Sequence, residues 1–213
     1  MAGLQLRRYG LGARWYDVLS GERWVYRAGR VAGIEQLRLS TGDRVLDVGC
    51  GTGLNFPILL DAVGATGTVV GVDASPAMLA MARARIADLA RPHVSVIDGD
   101  AGRLPDLVGD QTYDAALFTF SLSIIDDWQT ALRGALATVR PGGRVGIVDM
   151  ALPTGRWKVL APLARLACLT GGADPHRHPW QALSEVADDV TGTVLRGGHI
   201  HACTGTRRPT EAA

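Results

Sequence analysis

Val45-Leu46-Asp47-Val48-Gly49-Cys50-Gly51-Thr52-Gly53-Leu54-Asn55 decides how this chain folds. An apolar strand pattern runs straight into three glycines at alternate positions. Each glycine removes a Cβ where backbone must turn tightly and approach a ligand closely. A strand-to-helix turn without a ligand is the plainer reading, but three spaced glycines behind a strand and an Asp favour a nucleotide-type ligand. The spacing G-x-G-x-G differs from the G-x-G-x-x-G that leaves room for a pyrophosphate on a helix N-terminus. Asp47 precedes the loop, where a carboxylate is unhelpful to phosphate and useful to an ammonium or sulfonium group.

Outward from the loop, short apolar runs alternate with longer helical patterns, as in a parallel sheet wrapped by helices on both faces. Val45 to Val48, Val69 to Val72, Val94 to Ile97, Ala115 to Phe120 and Val145 to Val148 are the candidate strands. Ser75 caps a helix that has Pro76 just inside it, and Met78, Leu79, Ala82, Ile86 and Leu89 keep its period. A second helix begins near Asp126, where Gln129 completes a capping box, and ends before Pro141-Gly142-Gly143. Val190 to Leu195 and His199 to Thr204 flank Arg196-Gly197-Gly198, a link too short for a helical crossover, so the last two strands form an antiparallel hairpin.

Asp73 closes the second candidate strand, where a carboxylate can accept two hydrogen bonds from a ribose diol. Capping the next helix is its alternative role, and Ser75 serves that equally well. Asp100, after the third strand, can reach an adenine amino group while Ala101 offers a backbone N–H. A plain turn is the alternative there.

With these pieces in place the chain resembles the class I S-adenosylmethionine-dependent methyltransferases, of the type 11-like kind. The matching stretches are VLDVGCGTG (Val45 to Gly53), GVDAS (Gly71 to Ser75), DGDAGRLP (Asp98 to Pro105), YDAALFTFSLSII (Tyr113 to Ile125) and VRPGGRVGIVDM (Val139 to Met150), in the family's order and spacing. The resemblance implies an α/β fold: a Rossmann-like, seven-stranded, mostly parallel sheet with helices on both faces and a seventh strand inserted antiparallel beside the fifth. It implies S-adenosylmethionine as cofactor, with Gly49, Gly51 and Gly53 at the methionine portion, Asp73 at the ribose, and Asp100 with Ala101 at the adenine. Asp47, Cys50, Ala74, Met78 and Phe118 complete the expected cofactor site.

Composition agrees with one domain. The chain has 213 residues, 47% of them hydrophobic and 20% charged, enough for one buried core and short for two. Within it, residues 1–40 are expected to form an N-terminal helical lid, 41–150 the cofactor-binding core, and 151–206 a roof over the substrate plus the terminal hairpin. Twenty-two Lys and Arg balance 21 Asp and Glu, which argues against a protein held on nucleic acid by phosphate neutralisation. The balance conceals an asymmetry: residues 41–150 carry eight Arg against thirteen Asp, between two basic flanks. That layout suits a cation in the core and something anionic at the rim, or simply a solvated surface. Cys50, Cys168 and Cys203 are too scattered for a disulfide framework or a zinc site, so no metal is expected and a cytoplasmic setting is. No signal-peptide core and no run of apolar residues long enough to span a bilayer occurs.

The acceptor is expected outside the carboxyl ends of the strands, near Phe120, Asp149, Trp157 and His176, with Tyr16 folded over from the N-terminal segment. His176 and His178 flank Arg177 in a possible anion pocket or a bland surface loop, and His199 and His201 are expected on the sheet surface. Trp157 to Leu169 is apolar around most of a helical wheel, interrupted by Pro162. It reads as a core helix, or as a greasy roof whose Lys158 and Arg165 meet anionic headgroups at a membrane surface. Arg14 to Leu19, Tyr26 to Arg30 and Gly197 to His201 resemble bacterial phospholipid and betaine-lipid N-methyltransferases. Quinone C-methyltransferases share the Tyr-Asp start but carry a Gly-Leu-Arg-Asn-like stretch after strand four, where this chain has Ser121-Leu122-Ser123-Ile124.

The expected activity is therefore methyl transfer to a small-molecule or lipid acceptor, apolar or amphipathic, with a lipid headgroup amine as the favoured case. Another methyltransferase, acting on a natural product or quinone, is equally consistent with the cofactor motifs. From other classes, a nicotinamide-dependent oxidoreductase is disfavoured by G-x-G-x-G, and a non-catalytic binding domain would hold the cofactor without turnover. No catalytic base and no oligomeric state can be read from these residues.

Overall fold

The structure, a computed structural model, describes residues 26–209. Seven strands form one sheet: β1 (Arg44–Val48), β2 (Thr68–Asp73), β3 (Val94–Asp98), β4 (Tyr113–Thr119), β5 (Val139–Met150), β6 (Ala187–Leu195) and β7 (Ile200–Arg207). Their order is β3-β2-β1-β4-β5-β7-β6. The first five run parallel, and β7 inserts antiparallel between β5 and β6. This is the mostly parallel α/β sheet with an antiparallel C-terminal hairpin that the sequence implies. The order reverses between β1 and β4, so the crevice beyond their carboxyl ends is the place where such folds take a ligand.

The pleat sends alternate residues to opposite faces, and each face buries its own core. On one face Leu46, Val48, Ala116, Phe118, Val145 and Ile147 pack under Leu104 and under Ala131, Leu132 and Ala135 of a helix. On the other, Val45, Ala115, Leu117 and Val148 pack against Ile34, Leu37, Phe56, Leu59, Leu60 and Leu79. Strands buried on both sides read as continuous apolar runs, which is why β1, β2 and β4 stand out in the sequence.

The helices are α1 (Arg27–Gln36), α2 (Phe56–Val63), α3 (Pro76–Leu89), α4 (Leu104–Val108), α5 (Trp128–Thr138), α6 (Ala161–Gly171) and α7 (Pro179–Val186). At α3 the Ser75 hydroxyl accepts from the Met78 N–H at 3.4 Å, the expected cap. The cap of α5 falls one residue later than expected: Asp127, not Asp126, accepts from the Thr130 N–H at 3.2 Å. Pro141-Gly142-Gly143 does not delay β5, which starts at Val139 opposite Tyr113 and absorbs the irregularity in a register shift. The Trp157 to Leu169 stretch is divided into a 3-10 turn over Gly155–Leu160 and α6. Pro162 stands in the first turn of α6, where its missing N–H costs no helical hydrogen bond. No pattern in the sequence marks α2, α4 or α7, because their eight, five and eight residues are too few to display a period.

Candidate functional site

β1 delivers its glycine loop against the ends of β2 and β4. The Gly49 and Cys50 N–H groups both donate to the Val72 carbonyl, at 2.8 and 3.0 Å. Gly49 and Gly51 need glycine for different reasons, although both have positive φ. A Cβ on Gly49 would lie 2.5 Å from the Ser121 Cβ, whereas a Cβ on Gly51 would meet nothing within 4 Å. Close packing explains the first. The second presents bare backbone to open space.

Two carboxylates lie near this loop, Asp73 at its open side and Asp47 beneath the surface. Asp73 is tied to backbone through both oxygens, accepting from Gly51 N–H and Ser75 N–H at 2.8 Å each. Burial raises its pKa, and those two hydrogen bonds oppose the rise. Asp47 is fully buried. Its Oδ1 accepts from the Asn55 amide at 2.7 Å, and Oδ2 has no hydrogen-bond partner among the described residues. Burial lifts its pKa to about 7, against the Asn55 hydrogen bond and the nearby Arg30, while Asp73 adds to the rise. Arg30, buried in α1, donates to the Asn55 side-chain oxygen at 2.7 Å, so Arg30, Asn55 and Asp47 form one chain of contacts. Neither Arg30 nor Asn55 is marked as a site residue by any motif or spacing in the sequence. Asn55 carries only a faint signal, as an amide directly after the glycine loop.

The other expected cofactor residues are spread around the same end of the sheet. Ala74 is exposed and Met78 buried on either side of the Ser75 cap. Asp100 is exposed and accepts from the Gly102 N–H at 2.8 Å, capping a 3-10 turn that begins with the buried Ala101. Cys50 turns its side chain away from the open surface, since a Cβ on Gly71 would lie 2.7 Å from its sulfur. Phe118 is wholly buried in the core on one face of the sheet. Phe120, two residues on, follows the end of β4 with a positive φ and is half-buried.

Phe120 meets the Tyr26 ring edge-on at 5.0 Å and lies 5.6 Å beneath the Arg30 guanidinium. With Tyr26 and Ile124 it packs against Met150, Cys168 and Ala173, giving an apolar wall under α6. The Tyr26 hydroxyl approaches Nε2 of His199 at 3.3 Å, and Nδ1 of His199 lies 2.7 Å from the Ala151 carbonyl. His199 is therefore buried, not on the sheet surface as expected, because it precedes β7 and turns inward. His201 is half-buried and stacks on Trp180 at 4.1 Å.

Asp149 does not open onto the crevice. It is fully buried and accepts from the Ser123 N–H and hydroxyl and from the Met150 N–H, at 2.7 to 2.9 Å. Burial raises its pKa to about 6 despite those bonds and Arg177. His176 is exposed, 3.3 Å from Arg165, and Arg177 donates to the Leu122 and Ile125 carbonyls instead of forming an anion pocket. Trp157 packs beside Gly197, and Tyr16 lies outside the described residues. Among the described residues no group of His, Cys, Asp and Glu could hold a metal ion.

Residues 45–143, from β1 into β5, match the family model described as methyltransferase domain. Over this stretch, slightly less than half of its length, the chain is similar to a methyltransferase domain. The chain is similar to the demethylmenaquinone methyltransferase of Shouchella clausii, 32% identical over 141 residues that make up 65% of this chain and 59% of the relative. It is also similar to the ubiquinone/menaquinone biosynthesis C-methyltransferase UbiE of Pseudomonas savastanoi pv. phaseolicola, 34% identical over 66% of this chain and 54% of the relative. The matched stretches thus span little more than half the length of these curated relatives. Among solved structures, a SAM-dependent methyltransferase from Aquifex aeolicus shares the methyltransferase-domain fold with a TM-score of 0.62 and 19% identity, covering 88% of this chain and 93% of the other.

Proposed function

We propose that this protein transfers a methyl group from S-adenosylmethionine to an apolar or amphipathic acceptor, with a lipid headgroup amine as the favoured acceptor and the inner membrane surface as the place of work. The observation that carries the reading is the end of β1, where the open backbone of Gly51 is held by Asp73 and the buried Asp47, close enough to feel the charge of Asp73, has one oxygen without a hydrogen-bond partner among the described residues. A ligand with a cationic end and a diol fits that surface. Asp47 complements an ammonium or sulfonium, and each Asp73 oxygen keeps a lone pair for a ribose hydroxyl. Asp100 and the Ala101 N–H suit the adenine edge. When bound, S-adenosylmethionine supplies a methyl group on a positively charged sulfur, already a strong electrophile.

What remains for the protein is alignment and exclusion of water. The half-buried Phe120 and Ile124, backed by the buried Met150 and Cys168, supply an apolar wall for the acceptor's tail side. A deprotonated amine needs little beyond that alignment, whereas an acceptor with a high pKa also needs a base. The Tyr26–His199 pair is the polar device on that wall. It gives weight to a second reading, methylation of a quinone ring, in which the pair takes a proton from a ring hydroxyl. The names of the curated relatives support this second reading.

The test is transfer of label from methyl-tritiated S-adenosylmethionine into a cell extract partitioned between organic and aqueous phases. Enzyme-dependent label in the organic phase is expected, and mass spectrometry of that product distinguishes headgroup from quinone. Label confined to the aqueous phase would retire the amphipathic acceptor while leaving methyl transfer standing.

A further inference from the structure

The outer side of α6 and the 3-10 turn before it has the composition of a buried surface. Ala164 and Cys168, one turn apart, face inward, and the Cys168 sulfur lies 3.6 Å from that of Met150. Leu163 and Leu166 point the other way and are 67% and 58% exposed, and Val159 in the preceding turn is 77% exposed. A surface helix of a water-soluble domain ordinarily offers polar residues there. Instead, an open groove of about 450 Å³ runs between Leu152, Ala161, Pro162, Arg165 and Leu166.

This segment is also held firmly on the sheet. The Thr154 N–H donates to the Gly197 carbonyl at 2.8 Å, and Trp157 fills the space where a Gly197 Cβ would stand. Residues 151–173 contain Arg156, Lys158 and Arg165 and no Asp or Glu. The occupant of the face must therefore be apolar and anionic together. A second copy of this chain would set basic residues against basic residues. Residues 1–25, with four Arg against Asp17 and Glu22, are no better complement.

We propose that this face docks onto an anionic phospholipid bilayer, with Trp157, Val159, Leu163 and Leu166 in the headgroup and upper acyl layer and the groove taking a lipid tail. The eleven residues of α6 rise about 16 Å, roughly half a hydrocarbon core, so the helix lies in the interface. No helix of the described residues is long and apolar enough to cross a membrane. The proposal deepens the amphipathic-acceptor reading and rests on it: a docked face brings the wall of Phe120, Met150 and Cys168 to the surface where such an acceptor resides.

The experiment is co-sedimentation of the full chain with vesicles of phosphatidylcholine, with and without phosphatidylglycerol, across a salt series. Binding is expected to the phosphatidylglycerol vesicles, weakening as salt rises, with affinity falling about fivefold for each of Arg156→Ala and Lys158→Ala. The double variant Leu163→Asp with Leu166→Asp is expected to lose binding while keeping its melting transition and its cofactor titration, which show that it folds. Equal binding to both vesicle types, no binding to either, or an unaffected double variant overturns the proposal, as does a dimer in light scattering that those substitutions dissociate. Label transfer to extract lipids without vesicle binding removes the docking surface alone. Vesicle binding without any label transfer supports the surface and removes the acceptor reading alone.

Discussion

The Tyr26 hydroxyl and His199 Nε2 meet at 3.3 Å across 173 positions of sequence. Their direction is fixed by a third atom. The Ala151 carbonyl, 2.7 Å from Nδ1, can only accept, so Nδ1 carries the ring proton and Nε2 receives the hydroxyl of Tyr26. The pair can take a proton at the apolar wall. Tyr26→Phe is expected to lower turnover about tenfold or more, and His199→Gln to do the same, with cofactor affinity unchanged in both. Steady-state kinetics beside a calorimetric titration check this; an unchanged kcat in Tyr26→Phe would make the pair structural.

Gly49 and Gly51 separate stability from binding. Gly49→Ala drives a Cβ to 2.5 Å from Ser121 at a positive φ, so it should cost about 2 kcal/mol or more of stability. Gly51→Ala meets nothing, so its cost should stay near the roughly 1 kcal/mol of a left-handed alanine. Its cofactor affinity should fall far more, because the new methyl group occupies the open backbone face. Denaturant melts and cofactor titrations of the two variants should rank them in opposite order.

Asp47 makes cofactor stabilisation depend on pH. Its pKa in the fold is about 7, raised from 3.8 chiefly by burial. The folded state therefore holds this proton more tightly than the unfolded chain does, and the stability it contributes is lost as pH rises from about 4 through about 7. A cation beside the ionised carboxylate offsets that loss. The rise in melting temperature at saturating S-adenosylmethionine should then be larger at pH 8 than at pH 5.5, and Asp47→Asn should flatten the difference. An equal rise at both pH values would place the cation elsewhere.

The glycine loop and the terminal hairpin are legible in the sequence because each is a local pattern: Gly49, Gly51 and Gly53 behind an apolar run, and Gly197-Gly198 between two strands. The contacts that build the site are not local. Arg30 reaches Asn55 from another helix, and His199 reaches Tyr26 from the far end of the chain. No spacing rule links such pairs. Asp126 and Asp127 are indistinguishable as caps until the first helical N–H groups are placed. Phe118 and Phe120 lie on one strand period, yet the strand ends at Thr119 and Phe120 has a positive φ, so Phe118 is buried in the sheet's core while the Phe120 ring meets Tyr26 and Arg30.

Asp149 fastens the turn after β4 to the end of β5, and its removal should be felt throughout the crevice. Three donors converge on its carboxylate, two from Ser123 and one from Met150, all buried. Asp149→Ala leaves them unmet, at about 1 kcal/mol each, so a loss of about 3 kcal/mol is expected, lowering the melting temperature by about 6 to 12 °C. The charge has its own signature. With a pKa near 6, raised by burial, Asp149 contributes stability that is fully present below about pH 4 and lost by the time pH has passed 6. Asp149→Asn removes this titration, so its stability relative to the parent should improve between pH 4 and pH 7. Urea melts across that range measure both effects, and a constant difference between Asn variant and parent would show that the carboxyl does not titrate there.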